Sequence, residues 1–193
     1  VHPDFVALSA IAGIDIDLRY AGPNNLMGRP LYGHWNCAWL HREAAAGLRL
    51  AVAWLARQHP SWRLRVLDAL RPQRVQEALW AEVVGTPMQP YFANPARGSI
   101  HSFGMAVDVT LLEVATGEEL DMGSGFDDTR EESHPEFEAR LLAEGRLSSA
   151  QLAHRQALRQ AMAAGGYTGI ATEWWHFDCG DKERVRGEFA RVV

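Results

Sequence analysis

Between residues 105 and 111, Met105, Val107, Val109 and Leu111 alternate with Ala106, Asp108 and Thr110. Period-two alternation is the mark of a β-strand, whose successive side chains point to opposite faces. Asp108 therefore lies on the strand face away from its apolar neighbours. Immediately upstream runs Ser99-Ile-His101-Ser-Phe-Gly104. It puts a histidine in the loop before the strand, and Gly104 allows a tight turn between the two. The fold must accommodate a rigid strand with a histidine at its entrance and a carboxylate within it.

The remaining periodicities surround this strand with helices and further strands. Leu48, Val52 and Leu55 recur at one-turn spacing over 41–58, and Pro60 ends that run. Residues 62–68 read as a strand, because Leu64 and Val66 alternate with Arg63 and Arg65. Pro72 suits a first helical position, and Val75, Leu79 and Val83 carry a helical stripe to Gly85. Residues 85–100, with Pro87, Pro90, Pro95, Gly85 and Gly98, form a long irregular loop of the kind that often carries function. Thr116-Gly117 reads as a turn, and 127–138 as an acidic, irregular stretch. Ser148 or Ser149 caps a helix running to Gly165-Gly166. The last strand is expected over 170–178. This order predicts an α+β fold: a small, mostly antiparallel sheet packed against helices. No repeat or low-complexity linker divides the chain, so residues 1–193 read as one domain.

Several function classes fall away. The net charge is -5 and no basic run interrupts it, which argues against a nucleic-acid partner. No apolar stretch is long enough to span a bilayer, which argues against a membrane partner. The opening Val-His-Pro-Asp has neither a basic nor an apolar leader region. The expected compartment is the cytoplasm, or the periplasm if a leader has been removed. Cys37 and Cys179 make no disulfide framework; they form one bridge in an oxidising compartment or remain separate thiols. They also lack the spacing of a metal site.

His101 and Asp108 are both good zinc ligands, an imidazole and a carboxylate. A surface histidine and a solvated strand aspartate would give the same letters. A second constellation, Glu173-Trp174-Trp175-His176, supplies another imidazole. Three protein ligands with a fourth position open is the pattern of a catalytic zinc site, and Glu173 is then the natural base for the water. In a straight strand residues three apart point to opposite faces. Glu173 and His176 converge on one metal only if Glu173 precedes the strand or a bulge intervenes. The bland reading is a tryptophan-rich core strand with incidental polar neighbours.

Taken in order, these motifs resemble the VanX-type D-alanyl-D-alanine dipeptidases of the zinc D-Ala-D-Ala peptidase superfamily. That superfamily also holds D,D- and L,D-carboxypeptidases and the Hedgehog signalling domain. Besides Ser-x-His-x-x-Gly-x-Ala-x-Asp and Glu-Trp-Trp-His, the resemblance includes Asp17-Leu-Arg-Tyr20 with Asn24-Asn25. It also includes Asp68-Ala-Leu-Arg71-Pro72 and Asp121-Met-Gly-Ser-Gly-Phe-Asp127. It implies a Zn2+ cofactor on His101, Asp108 and His176, with Glu173 as catalytic base. It implies Arg71 as stabiliser of the transition state, and Ser99 and Asp127 as contacts to a bound dipeptide, Asp127 near its free amine. One departure stands: where the family's dipeptidases offer a tyrosine before the motif serine, this chain has Asn94, and its nearest tyrosine is Tyr91.

The function so implied is zinc-dependent hydrolysis of a small D-amino-acid dipeptide, D-Ala-D-Ala. A D,D- or L,D-carboxypeptidase acting on peptidoglycan stem peptides would share every metal-site residue. A zinc-bearing binding module without turnover would need neither Glu173 nor Arg71. A His-Asp-His set also accepts divalent ions other than zinc.

Overall fold

The structure, a computed structural model, describes residues 3–193; Val1 and His2 lie outside it. Its centre is a five-stranded sheet ordered β2-β4-β5-β7-β6. These strands are β2 (Ile14–Ile16), β4 (Trp62–Asp68), β5 (Ala106–Glu113), β6 (Tyr167–Gly169) and β7 (His176–Cys179). β2 runs parallel to β4, and the other neighbouring pairs are antiparallel. A second, two-stranded sheet pairs β1 (Phe5–Ala7) with β3 (Trp39–His41). The α+β fold expected from the sequence, with a mostly antiparallel sheet, is the fold found.

Two long helices brace the sheet. α1 (Arg42–Gln58) packs on β4 and on α4 (Ser149–Ala164), and α4 packs on β6 and β5. The sequence forms α4 where it does because Ser148 and Gln151 close a reciprocal capping box at its start. α1 and the end of α4 approach so closely that a Cβ on Gly47 would lie 2.3 Å from the Gly165 carbonyl oxygen. Leu48 and Leu55 of α1 and Leu158 and Met162 of α4 share one buried cluster with Leu64, Val66, Val107, Val109 and Leu111 of the sheet. The period-two apolar faces read from β4 and β5 are thus what the helices cover.

A second buried cluster joins Tyr20, Tyr32 and Cys37 to Val75, Leu79 and Val83 of α2 (Gln73–Val83) and to Phe92. It anchors the long loop after α2, where Gln76 Nε2 donates to the Ala93 carbonyl and Gln73 Nε2 to that of Pro95. Two short helices, α3 (Glu138–Ala143) and α5 (Lys182–Glu188), complete the chain. No helix among the described residues is long and apolar enough to cross a membrane. Cys37 and Cys179 are both buried and free.

One expected element is corrected. Residues 170–178 do not form a single strand. The chain makes the β6–β7 hairpin, and 170–175 is the connection between its arms. Trp174 and Trp175, both buried, sit in that connection and not in a strand.

Candidate metal centre

Strand register assembles the site. Asp108 of β5 lies directly opposite His176 of β7 on one side and opposite Asp68 of β4 on the other. The Asp68 pairing depends on a slip. Val66 pairs with Val109, yet Asp68 pairs with Asp108, so Leu67 is an extra, bulged residue. In an unbroken strand Asp68 would share the apolar face of Val66; the bulge swings it onto the face of Asp108.

His101 enters from a short 3-10 turn, Ile100–Phe103, that leads into β5. The turn ends at Gly104 in the left-handed region (φ 65°), where a Cβ would lie 2.7 Å from the Phe5 ring. Glycine satisfies both demands, and the turn presents His101 beside Asp108.

Three atoms converge. His101 Nε2 lies 3.2 Å from His176 Nδ1 and 3.3 Å from Asp108 Oδ1, and His176 Nδ1 lies 3.0 Å from Asp108 Oδ1. The outward nitrogens set the tautomers of the neutral rings. His101 Nδ1 is 2.7 Å from the Ala69 carbonyl oxygen, which requires N–H there. His176 Nε2 is 3.0 Å from Asp178 Oδ1 and donates in the same way. With those protons turned outward, three lone pairs face one another. That arrangement is repulsive unless a cation sits among them. A tetrahedral zinc with bonds near 2.05 Å would separate its ligand atoms by about 3.3 Å, so the donor set fits the ion.

The electrostatics agree. Burial disfavours the Asp108 carboxylate, but the two imidazoles outweigh it and hold its pKa far below the usual range. Burial pushes the His176 pKa down, and Asp178 and Asp108 together push it well above the ordinary imidazole value. A proton and a metal ion would therefore compete for Nδ1. The reading of Asp108 as a solvated residue does not survive, since it is 2% exposed.

Glu173 precedes β7, which resolves the parity difficulty raised by the sequence. Its Oε2 is 3.9 Å from His176 Nδ1, and burial raises its pKa above the ordinary carboxylate value. Arg71 is fixed on several sides. Nε and Nη2 donate to Asp68 Oδ2 at 3.0 and 2.7 Å, and Nη1 donates to Gln76 Oε1 at 3.2 Å. Its guanidinium carbon stands 4.6 Å over the Tyr20 ring, and Nη2 is 3.6 Å from Asp108 Oδ2. A planar cation so held is aimed beside the donor triad without freedom to swing away.

Ser99 and Asp127 line the same cleft as these groups. Asp127 turns in from an acidic stretch in which Glu131 and Glu132 pair instead with Arg146. Its Oδ2 accepts from the Leu26 N–H at 3.1 Å, and its Oδ1 from the Tyr20 hydroxyl at 3.3 Å. Burial pushes its pKa up to about 7. Asp127 is also the only non-glycine residue with positive φ (59°) among the described residues. Such strain collects at functional positions.

The cleft measures about 230 Å3, below the usual range for drug-sized ligands, and so suits a small one. Sequence reasoning passed over four of the groups that shape it. Tyr20 bridges Arg71 and Asp127, and Gln76 steadies Arg71. Asp178 lies two residues after His176 on one strand, and period-two parity alone puts the pair on one face. Tyr91 lines the cleft and donates to the Thr129 carbonyl at 2.9 Å, tying the loop after α2 to the segment following Asp127.

Comparison with known proteins bears on this centre. A family profile described as D-ala-D-ala dipeptidase matches residues 3–192. A D-alanyl-D-alanine dipeptidase of Escherichia coli K12 is 34% identical over 165 residues, covering 86% of this chain and 78% of the relative. Dipeptidases of the same description from Enterococcus faecalis and Streptomyces coelicolor are 28% and 29% identical. They cover 86% of this chain and 85% and 86% of the relatives. A solved structure of the LdcB LD-carboxypeptidase covers 96% of this chain and 72% of its own at a TM-score of 0.48 and 14% identity, too loose a likeness to carry an argument.

Proposed function

The chain belongs to the D-Ala-D-Ala dipeptidase family, and on that premise we propose that it hydrolyses D-Ala-D-Ala with Zn2+ held by His101, Asp108 and His176. As a member of that family it is a peptidase. One observation carries the metal reading: three donor atoms, two imidazole nitrogens and a carboxylate oxygen, mutually 3.0–3.3 Å apart, with Glu173 adjoining and in no part of the set.

Zinc bound there would polarise the scissile carbonyl and acidify the attacking water. This chain's own groups do the rest. Glu173 Oε takes the proton as water attacks, a task suited to a carboxylate whose basicity burial has raised. Arg71 donates N–H to the oxygen on which charge develops, and its anchorage on Asp68 and Gln76 means that little reorganisation is needed. Glu173 then returns the proton to the leaving amine. Asp127 pairs with the free ammonium of the dipeptide, and Ser99 contacts the substrate from the loop that leads into His101.

In this reading residues 1–193 act as one dipeptidase domain, since both buried clusters abut the cleft. The free thiols of Cys37 and Cys179 fit the cytoplasm as its compartment, which cell fractionation would test.

The decisive assay is amine release from D-Ala-D-Ala by the purified protein, with chelator and after zinc is restored. Turnover that stops with chelator and returns with zinc is expected; turnover indifferent to chelator would end the metal reading. Efficient cleavage of an N-acylated tripeptide ending in D-Ala-D-Ala would move the chain to the carboxypeptidases.

A further inference from the structure

The cleft has a cationic wall that nothing so far has used. α5 presents Lys182 and Arg186 to it, one helical turn apart. Lys182 Nζ is committed to Asp178 Oδ2 at 2.8 Å, and Asp178 in turn holds His176. Arg186 is different. Its side chain is only 16% exposed, yet its one carboxylate partner among the described residues, Glu183 at 2.9 Å, is 71% exposed and lies outside the cleft. The same Glu183 oxygen also accepts from Arg97 at 2.7 Å, so two guanidinium groups share one carboxylate oxygen. Exposed pairs of that kind neutralise little. Nε of Arg186 reaches the Gly98 carbonyl at 3.5 Å. A guanidinium has five N–H donors, and Nη2 has no protein acceptor among the described residues.

The opposite pole is acidic. Asp127 is tied through Tyr20 to the Arg71 side of the donor triad, whereas Lys182 is tied through Asp178 to the His176 side. One cleft is thus lined by a buried carboxylate joined to the Arg71 side of the donor triad and by a half-satisfied guanidinium, lying against Gly98, on the helix joined to its His176 side. A free dipeptide is a zwitterion with the same polarity.

Resting on the dipeptidase reading, we propose that Arg186 binds the C-terminal carboxylate of the substrate and, with Asp127 at the other end, gauges its length. A planar guanidinium with free donors matches a carboxylate in two parallel bonds. A molecule must then carry an ammonium and a carboxylate at the two ends of a dipeptide to satisfy both poles.

The test compares D-Ala-D-Ala with its C-terminal amide on the zinc-loaded protein and on Arg186→Gln. The wild-type protein should cleave the amide with kcat/KM lower by about tenfold or more, the loss expected of a charge-assisted hydrogen bond. Arg186→Gln should lose a similar factor on the acid through KM, keep kcat, and lose nothing further on the amide. Arg186→Lys should recover part of the loss. Equal losses on acid and amide, or an unchanged KM for the acid, would overturn the assignment. Should Arg186→Gln not fold, the wild-type ratio decides alone: equal efficiency on acid and amide removes the anchor and leaves the dipeptidase reading standing. Cleavage of neither substrate overturns that reading, and the anchor with it.

Discussion

Asp68 and Asp108 face each other across β4 and β5 because the strand pairing slips by one residue after Val66. The two carboxylates do different work. Asp108 Oδ1 points at His101 and His176, while Asp68 Oδ2 receives two bonds from Arg71. Asp68→Ala would leave the buried Arg71 charge without its partner. Breaking a buried pair in this way costs about 3–5 kcal/mol, so urea denaturation should show a large drop in stability. Asp68→Asn, which keeps the shape, should cost less stability while still lowering kcat. A variant with unchanged stability and kcat would show that Arg71 is positioned by something else.

Arg71→Ala tests the oxyanion role. Loss of one such donor typically lowers kcat by about a hundred- to a thousandfold. KM should change far less, because the interaction forms in the transition state. Stability should fall as well, since Asp68 is 0% exposed and loses its partner. Steady-state kinetics showing near-full turnover would remove the role.

Glu173→Gln separates proton transfer from metal binding. Turnover should fall by about a hundredfold or more, with zinc content by elemental analysis unchanged. Loss of the metal along with activity would make Glu173 a ligand and contradict the arrangement described.

Asp127→Asn reports on both substrate and stability. KM for D-Ala-D-Ala should rise more than kcat falls. The folded-state pKa of Asp127 is raised, to about 7 from an ordinary 3.8. The folded protein therefore holds this proton more tightly than the unfolded chain, and wild-type stability falls as pH rises through that window. Asn carries no such cost and also tolerates positive φ. With chelator present, the variant should match wild type near pH 4 and exceed it increasingly up to pH 7. The ceiling is about 4 kcal/mol for a shift of that size. Parallel stability curves for the two proteins would refute a buried, destabilised carboxylate.

Asp178→Asn should weaken zinc binding, by about ten- to a hundredfold for a partner of this kind, as read in a metal-buffered titration. Unchanged affinity would mean that the Asp178–His176 bond does not orient the ring.

Much of this was legible in the letters, for reasons that can be named. The period-two faces of β4 and β5 and the Ser148 cap are local properties, and the structure keeps them. The approach of His101 to Asp108 was foreseeable because His101, Gly104 and Asp108 lie close in sequence, and strand and turn geometry settle their relation. Asp68 and Gln76 gain their roles only through the bulge at Leu67 and the packing of the loop against α2, which no periodicity announces. Residues 170–178 look like one strand in the sequence because two adjacent tryptophans satisfy a strand pattern as well as they satisfy a buried connection. Arg186 stayed hidden because a short exposed helix of mixed charge gives no sign of which side chain meets a distant cleft.

The most direct measurement is anomalous diffraction at the zinc edge from crystals grown with Zn2+. One strong peak is expected about 2.0–2.2 Å from His101 Nε2, Asp108 Oδ1 and His176 Nδ1, with Glu173 outside bonding distance. A peak elsewhere, or none at these three atoms, would contradict it.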